Sequence, residues 1–351
     1  MLDPLTRIAS ACDLSIPDEI KLPVGVIGAG AITRFAHLPA YRTGGVPVAA
    51  VADLDPDRAK ALAHDFDVPR VATLEEILAD QDIPVVDVAV FPEAQPEIVQ
   101  RALAAGKHVL AQKPIAPESV TGAELVAAAQ AAGRSLVVNQ QMRYGEGMAA
   151  ARAMVEAGWI GTVTAMTISV DIVTDWSAWP WLVESPRLDL MYHSIHYFDT
   201  VRALLGEPVE VHCVRGRRPG QLAAGETRTI TTMTFETGAL ANVRVNHENQ
   251  TGDQEALFRI DGEFGSIKGT VGLLYDYPRG RPDTLLVNSR SLPTDGWLPY
   301  PVTTRWIPDA FAGPMRALLR EVAGIEDAPT TGADALRTLQ LVERAYAASG
   351  E

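Results

Sequence analysis

Short apolar segments alternate with helical patterns over the first 140 residues, and this alternation constrains the fold more than any other feature. The predicted strands lie at 23–28, 46–52, 85–91, 109–111 and 135–139. A first helical pattern runs to Tyr41, and further ones lie at 56–66, 73–80, 93–105 and 118–132. Strands that alternate with helices pair in parallel through right-handed crossovers. The sequence therefore predicts an α/β domain built on a parallel sheet.

The pattern changes after about residue 145. A helix over 145–157 is followed by alternating segments at 162–173, 208–216, 227–235, 239–248 and 255–262. Such segments are typical of an antiparallel sheet with one covered face. Further helices are predicted at 187–205, 309–323 and 332–348. For 351 residues we predict two domains, 23–144 and 145–351, after an extension over 1–22 that we expect to pack on the first domain.

Composition excludes several classes of function. The net charge of −14 argues against a nucleic-acid partner, because phosphates require a basic surface. No run of about 18 apolar residues is present, so no membrane span is predicted. The N-terminus lacks the pattern of a signal peptide. The two cysteines, Cys12 and Cys213, form neither a metal spacing nor a disulfide framework. We therefore expect a soluble, cytoplasmic protein.

A glycine turn directly after the first strand points to a dinucleotide. Gly28 and Gly30 permit a tight turn and a close approach of the backbone to a pyrophosphate. Thr33 occupies the third position of the fingerprint, where glycine or alanine is usual. Asp53 ends the second strand, where a carboxylate hydrogen-bonds ribose hydroxyls and repels a 2′-phosphate. Asp55 already provides the N-cap of the next helix, so capping does not account for Asp53. We therefore interpret Asp53 as a ribose-binding carboxylate, which favours NAD over NADP.

Lys113 follows the fourth strand and is one of five lysines, against 25 arginines. Ligands of open parallel sheets bind at the carboxyl ends of the strands. Pro114 stops the strand and restricts Lys113 to an extended backbone. We interpret Lys113 as a cation at the cofactor edge of the sheet; the alternative is a strand-end lysine that reaches solvent.

Three motifs carry a resemblance to a known family. Gly-Val-Ile-Gly-Ala-Gly-Ala-Ile at 25–32, Ala-Gly-Lys-His-Val-Leu-Ala-Gln-Lys-Pro at 105–114 and His-Ser-Ile-His-Tyr-Phe-Asp at 193–199 resemble the glucose–fructose oxidoreductase / inositol dehydrogenase / MocA family. The resemblance implies a Rossmann domain, then an α+β domain with a large, mostly antiparallel open sheet. It implies NAD or NADP, a sugar or polyol substrate, and a homodimer or homotetramer through the open sheet. Cofactor contacts are then expected at Gly28, Gly30, Ala31, Ile32, Asp53 and Lys113.

The same resemblance assigns catalysis to Lys113 and to a histidine on the first long helix of the second domain, here His196. A wheel of 187–205 places Asp189, Tyr192, His193, His196 and Asp199 within one third of the circumference. The family pattern Asp-x-Gly-x-His-x-x-Asp has Tyr192 in place of its first aspartate. The family's glutamate before the lysine is replaced by Gln112. We therefore predict a catalytic group of Lys113, Tyr192 and His196.

Several other residues are candidates for substrate or metal binding. Asn139, Arg143, Trp176 and His193 are predicted to contact substrate, with His247 interpreted as a core or interface residue. Two histidines three residues apart, with Asp189 and Asp199, also form a possible ligand set. Because the resemblance implies no metal, none is predicted.

The sequence thus predicts a dehydrogenase that oxidises a carbinol of a sugar, polyol or inositol-like substrate by hydride transfer to nicotinamide. His196 would act as the general base and Lys113 would stabilise the developing alkoxide. Two alternatives remain open at this stage. One is a glycosidase of the same fold that uses NAD transiently, and the other is a non-enzymatic sensor of sugars or dinucleotides.

Overall fold

The computed structural model describes residues 4–275, 277, 279–293 and 296–350. The chain divides into two compact units. The first, called here the Rossmann unit, comprises Leu14–Tyr144 and Ile307–Leu339. The second, called the sheet unit, comprises Gly145–Trp306 with the described parts of Met1–Asp13 and Gln340–Glu351.

The Rossmann unit contains a five-stranded parallel sheet. Its strands are β1 (Val24–Ile27), β2 (Val48–Ala52), β3 (Val85–Val88), β4 (His108–Ala111) and β5 (Leu136–Val138). The strands are arranged β2-β1-β3-β4-β5 and all run in parallel. The order in which successive strands are added to the sheet reverses between β1 and β3. Every residue of β1, β3 and β5 is buried, as expected for strands covered on both faces. This confirms the predicted parallel sheet.

The helices of the Rossmann unit begin and end at conventional signals. They are Leu38–Gly44, Pro56–Phe66, Leu74–Ala79, Gln95–Ala104, Ser119–Ala132 and Ala312–Val322, with a π-helical turn at Thr33–His37. Asp55 accepts hydrogen bonds from the N–H groups of Asp57 and Arg58, which confirms its predicted role as N-cap. Thr73 forms a capping box with Glu76. Local sequence therefore fixes where these two helices, Pro56–Phe66 and Leu74–Ala79, start.

The segment that opens the chain packs in the sheet unit. Helix Pro4–Cys12 contacts helix Glu146–Glu156, and the Cys12 thiol lies 3.6 Å from the carbonyl oxygen of Glu146. We expected the extension to pack on the first domain; instead, its described helix belongs with the second unit. A short helix has no sequence signal for its partner, because an amphipathic face fits any apolar surface.

The sheet unit contains an eight-stranded sheet. Its strands are β6 (Val163–Asp171), β7 (Glu210–Gly216), β8 (Arg228–Thr234), β9 (Leu240–Asn246), β10 (Glu255–Gly262), β11 (Gly265–Thr270), β12 (Leu285–Ser289) and β13 (Leu298–Tyr300). They are arranged β13-β12-β11-β10-β6-β9-β8-β7. Only β6 and β9 pair in parallel among these described strands. The predicted, mostly antiparallel open sheet is therefore present, although β11–β13 were not predicted.

The helices of this unit include Glu146–Glu156, Pro180–Val183 and Ile195–Leu205, the last preceded by a π-helical turn at Asp189–His193. Ile195–Leu205 contacts β6 and β9, and the π-helical turn contacts β8. The final helix, Gly332–Ala348, begins in the Rossmann unit and ends in the sheet unit. Alternate residues of β8 and β10 are buried, which matches one covered and one open face. Among the helices that the structure describes, none combines the length and the apolar character needed to cross a bilayer.

Candidate active site

The turn after β1 requires glycine at its first position. Gly28 has a φ of +107°, and a Cβ there would lie 2.3 Å from the carbonyl oxygen of Ala89. At Gly30 a Cβ would meet no atom within 4 Å, so the space beside that backbone is open. The Thr33 hydroxyl donates to the Gly28 carbonyl at 2.7 Å. Threonine at the third position therefore braces the turn, which keeps room for a phosphate group.

Asp53 stands beside this turn. Its Oδ2 accepts the N–H of Ala29 at 2.7 Å, and its Oδ1 accepts the N–H of Asp55 at 2.8 Å. The carboxylate is thereby fixed next to the glycine backbone at the carboxyl end of β2. In open parallel sheets ligands bind at this edge, close to the reversal of strand order. The turn and Asp53 together form a site that suits an adenosine ribose and its pyrophosphate.

The Lys113 segment is held by a buried glutamine from the preceding helix. The Gln95 side-chain amide donates to the carbonyls of Gln112, Pro114 and Ile115 at 2.7, 2.8 and 3.1 Å. Its Oε1 accepts the Gln112 N–H at 3.0 Å. The Lys113–Pro114 peptide bond is cis. Gln95 therefore supplies the hydrogen bonds that a strand would otherwise give this segment, and the sequence carried no signal for it.

Burial changes the acidity of Lys113. Desolvation lowers the pKa of its ammonium group from 10.5 to about 8. Lys113 is half-buried, so its ammonium group is partly shielded from water and interacts more strongly with a nearby anionic oxygen than a surface lysine would. Lys113 is therefore suited to stabilise a negative charge that develops during a reaction.

A buried network explains why glutamine precedes Lys113. His37 Nδ1 lies 2.7 Å from Asp87 Oδ2, and the same oxygen accepts the Tyr41 hydroxyl. A carboxylate only accepts, so Nδ1 carries the proton and Nε2 accepts. Gln112 Oε1 accepts the Lys113 N–H at 2.8 Å, which turns its Nε2 toward His37 Nε2 at 3.0 Å. His37 Nε2 accepts a hydrogen bond, so the side chain that faces it must carry an N–H donor, and glutamine supplies one.

Two residues predicted to bind substrate have buried partners in the Rossmann unit. The Asn139 side-chain nitrogen lies 3.3 Å from His37 Nε2. Arg143 donates to Asp334 Oδ2 at 2.6 Å and to the carbonyl of Pro329 at 3.1 Å. Arg143 thus ties the end of the first domain to the returning segment 307–339. The substrate contacts of both side chains stay predictions.

The histidine-bearing segment of the sheet unit departs from a regular α-helix. Over Asp189–His193 it is π-helical, with the N–H of Ser194 bonded to the carbonyl of Asp189 five residues earlier. A wheel drawn at the α-helical spacing therefore misplaces the residues before His196. Asp189 is fully buried against the sheet, whereas His193 is partly exposed. Asp189 and His193 of the predicted polar wedge still lie side by side, with 3.3 Å between Oδ1 and Nδ1.

Asp189 joins side chains from three elements. Its Oδ1 lies 2.9 Å from His247 Nε2 and 3.3 Å from His193 Nδ1. Its Oδ2 accepts the hydroxyls of Ser194 and Thr229 at 2.8 and 2.6 Å. Burial raises the pKa of Asp189, but hydrogen bonds from the two histidines outweigh it and hold the pKa well below its usual range. His247 was interpreted as a core or interface residue, and its pairing with Asp189 was not foreseen.

The two predicted catalytic residues of the sheet unit lie on the same segment but contact different aromatic side chains. The His196 ring is buried and lies edge-on to Trp306, with their centroids 5.2 Å apart. The Tyr192 ring packs edge-on against Trp181 at 5.1 Å. A joint role of Tyr192 and His196 stays a prediction.

Tryptophans of the loop before this segment form an aromatic cluster. Trp176 is buried with Leu182, Leu188 and Ala223, and its ring lies 4.9 Å from that of His247. Trp179 and Trp181 pack on the outside of this cluster. Packing therefore accounts for the position of Trp176, and its predicted contact with substrate stays a prediction.

Comparison with protein families gives two matches along the chain. Residues 22–140 match the model described as an oxidoreductase family with an NAD-binding Rossmann fold. Residues 148–268 match the model of the GFO/IDH/MocA C-terminal domain. The two matches follow the Rossmann strands and most of the large sheet.

Individual proteins resemble the chain over most of their length. A D-apiose dehydrogenase of Rhizobium rhizogenes is 27% identical over 309 residues, covering 86% of this chain and 88% of that protein. An inositol 2-dehydrogenase of Saccharopolyspora erythraea is 29% identical, covering 86% and 85%. An Agrobacterium radiobacter oxidoreductase, solved in complex with NAD⁺, L-tartaric acid and magnesium, is 24% identical with a TM-score of 0.81, covering 94% and 97%. This last similarity shows the fold.

The His37 network predicts that Gln112→Glu destabilises the protein, although the family has glutamate there. A carboxylate oxygen would face the lone pair of His37 Nε2, and a buried acceptor without a donor costs about 1–3 kcal/mol. Chemical unfolding measures the loss. Gln130→Glu, which adds the same charge at an exposed helix position, should change stability by less than about 0.5 kcal/mol. Equal stability of Gln112→Glu and the parent would refute the assigned proton positions.

Proposed function

Because the chain belongs to the GFO/IDH/MocA oxidoreductase family, we propose that it oxidises a carbinol of a sugar, polyol or inositol-like substrate by hydride transfer to NAD. The substrate class is supported by the relatives named for D-apiose and inositol dehydrogenation. One observation carries the chemistry. Lys113 follows strand β4 at the sheet edge that also bears the glycine turn, and burial lowers the pKa of its ammonium group.

The residues of the Rossmann unit fit NAD. Gly28 and Gly30 leave the backbone approachable for the pyrophosphate, and Ala31 and Ile32 follow in the helical segment beyond the turn. Asp53 would accept hydrogen bonds from the adenosine ribose and repel the 2′-phosphate of NADP. Bound NAD supplies the hydride acceptor, and the protein supplies its binding and orientation.

Lys113 and His196 divide the remaining work on the substrate hydroxyl. The His196 imidazole takes the hydroxyl proton as general base. The Lys113 ammonium donates a hydrogen bond to the same oxygen and stabilises the negative charge that develops as the carbinol hydrogen leaves with its electron pair. Tyr192 belongs to this proposal as a hydroxyl that assists His196.

Four further residues complete the proposed substrate contacts: Asn139, Arg143, Trp176 and His193. Asn139 and Arg143 already bond to neighbours in the Rossmann unit, so their proposed role includes holding the segment after β5 in place. Trp176 offers an apolar ring on which the C–H face of a sugar can stack.

We also propose that the chain forms a homodimer or homotetramer through the open face of the large sheet, in the cytoplasm. Val214, Ile230 and Leu257 are exposed, and strand register places them in one row across that face. Arg244 and Ser169 lie between Ile230 and Leu257 in that row, so the exposed apolar side chains alternate with polar ones, as in many protein–protein interfaces. Both cysteines are free thiols, which suits a reducing compartment.

The oligomer can be tested by light scattering of the purified protein. We expect a mass of two or four times 37.7 kDa, and we expect Ile230→Glu to reduce it because a buried unpaired charge is costly. Val120→Glu, at an exposed apolar position in the Rossmann unit, serves as the control. A monomeric parent protein would disprove the oligomer and leave the proposed reaction untouched.

Asp53 should determine the choice of cofactor. Loss of hydrogen bonds to a charged group costs about 1.5–3 kcal/mol, so Asp53→Ala should weaken NAD binding roughly 10- to 100-fold. NADP should bind better to the variant, because the repulsion of its 2′-phosphate is removed. Titration of both cofactors by fluorescence measures this, with Asp57→Ala at an exposed position as control. Preference of the parent protein for NADP would contradict the assignment.

Lys113→Met should reduce turnover by about 10²- to 10³-fold, the loss expected for one donor to a developing oxyanion. NAD should still bind, because the glycine turn and Asp53 are unchanged. Single-turnover formation of NADH with a panel of sugars and polyols measures the step, and Lys60→Met, on the surface, is the control. Hydride transfer at the parent rate in Lys113→Met would remove Lys113 from the mechanism.

The pH dependence gives a second readout of Lys113. Above its pKa of about 8 the ammonium loses its charge, so kcat/KM of the parent should fall on the alkaline side near pH 8. Lys113→Arg keeps a cation throughout, and its residual activity should lack this fall.

Stoichiometric accumulation of NADH also distinguishes a dehydrogenase from a glycosidase that regenerates its NAD.

A further inference from the structure

We propose that Asp189, His193 and His247 bind a divalent transition-metal ion of the class that prefers imidazole and carboxylate ligands, such as Zn²⁺. The ligand atoms are Asp189 Oδ1, His193 Nδ1 and His247 Nε2, which all lie within 4.8 Å of one another. All three residues belong to the sheet unit. The proposal does not depend on the proposed reaction.

The distances suit a compact coordination shell. The Asp189 oxygen lies 2.9 Å from His247 Nε2 and 3.3 Å from His193 Nδ1. Tetrahedral Zn²⁺ with bonds of about 2.0–2.1 Å holds its ligand atoms roughly 3.3 Å apart. All three ligand atoms lie within 4.8 Å of one another, so the two histidine side chains would move inward to complete the shell around an ion. The His193 and His247 rings are already neighbours, with centroids 4.5 Å apart.

Outer hydrogen bonds orient each ligand. The second nitrogen of His247, Nδ1, lies 2.8 Å from the Thr174 hydroxyl, and the second nitrogen of His193, Nε2, lies 3.3 Å from the Tyr197 hydroxyl. Metal-binding histidines characteristically bond through the other ring nitrogen in this way. Hydroxyl groups both donate and accept, so they suit the rings with or without an ion.

The carboxylate is arranged in the same manner. Asp189 Oδ2 accepts two hydroxyls, from Ser194 and Thr229, which leaves Oδ1 to the two imidazoles. Asp189 is fully buried, and a buried carboxylate requires a compensating positive charge. An ion would supply that charge at the oxygen shared by both rings.

The site has one open side. Asp189 and His247 are buried, with the Trp176 ring packed against His247, whereas about a fifth of the His193 side chain is exposed. Three protein ligands with an accessible fourth position are typical of sites that exchange a water or an oxygen ligand. The assignment replaces the substrate contact proposed for His193 above and leaves the other proposed substrate contacts unchanged.

The test is metal binding by the purified full-length protein after treatment with a chelator. Titration with Zn²⁺ by calorimetry, and with Co²⁺ by its visible ligand-field absorption, should give one ion per chain. His247→Gln and His193→Gln should lose this binding by at least about 100-fold. His64→Gln, which removes an exposed histidine, should bind as the parent does.

Two further measurements separate a ligand role from a folding role. Thr174→Val leaves all three ligands in place, and loss of an outer hydrogen bond should weaken binding by about 10- to 100-fold. Zn²⁺ should raise the unfolding temperature of the parent but not that of a folded His193→Gln variant, since an ion that binds only the native state stabilises it. A parent that binds no ion, or variants that bind as it does, would overturn the proposal and show that protons alone hold the cluster.

Discussion

The cost of burying a charge governs how the two candidate sites of this protein are built. Lys113 loses much of its hydration at the end of β4, as its lowered pKa shows. A flexible loop would let such a side chain move to solvent. Here the Gln95 amide bonds to four backbone groups around Lys113, and Gln112 bonds to its N–H. The backbone is thus held so that the ammonium stays where an anionic oxygen would gain most from it.

Each unit also contains a buried aspartate that is bonded to histidine, and the two differ in chemistry. Asp87 meets a single ring, His37, whose other nitrogen accepts from two amides. Every position around that ring is taken by a protein group, so the network is a support for Gln112 and β4. Asp189 instead presents one oxygen to two rings at once. The cluster of two imidazole nitrogens around one carboxylate oxygen is the one for which we propose a metal ion.

The fold determines where the residues of the proposed reaction lie. The parallel sheet places Gly28, Asp53 and Lys113 at the carboxyl ends of strands, where the family binds its dinucleotide. In the sheet unit, Tyr192 and His193 lie on the π-helical turn and His196 on the helix that follows it. Gln112 stands where the resemblance implies glutamate, and His37 accounts for the difference. Its Nδ1 carries the proton, so its Nε2 needs a hydrogen-bond donor, which the Gln112 amide provides.

The sequence by itself determined the features that depend on local periodicity and backbone restriction. Strand and helix order, the glycine turn, the Asp55 cap and the position of Lys113 beside Pro114 all follow from neighbouring residues, whose spacing decides burial and turn geometry. The family motifs added the two-domain plan and the oxidoreductase class.

Tertiary structure alone decided which side chains meet. Gln95 reaches Gln112 across 17 positions, and His247 reaches Asp189 across 58. Neither pair leaves a periodic trace, because the partners lie on different elements. The π-helical turn also escaped detection, since its five-residue hydrogen bond is stabilised by contacts of Asp189 with Thr229 on a neighbouring strand. Buried polar groups must find partners wherever packing places them, and that choice is made only when the sheets and helices assemble.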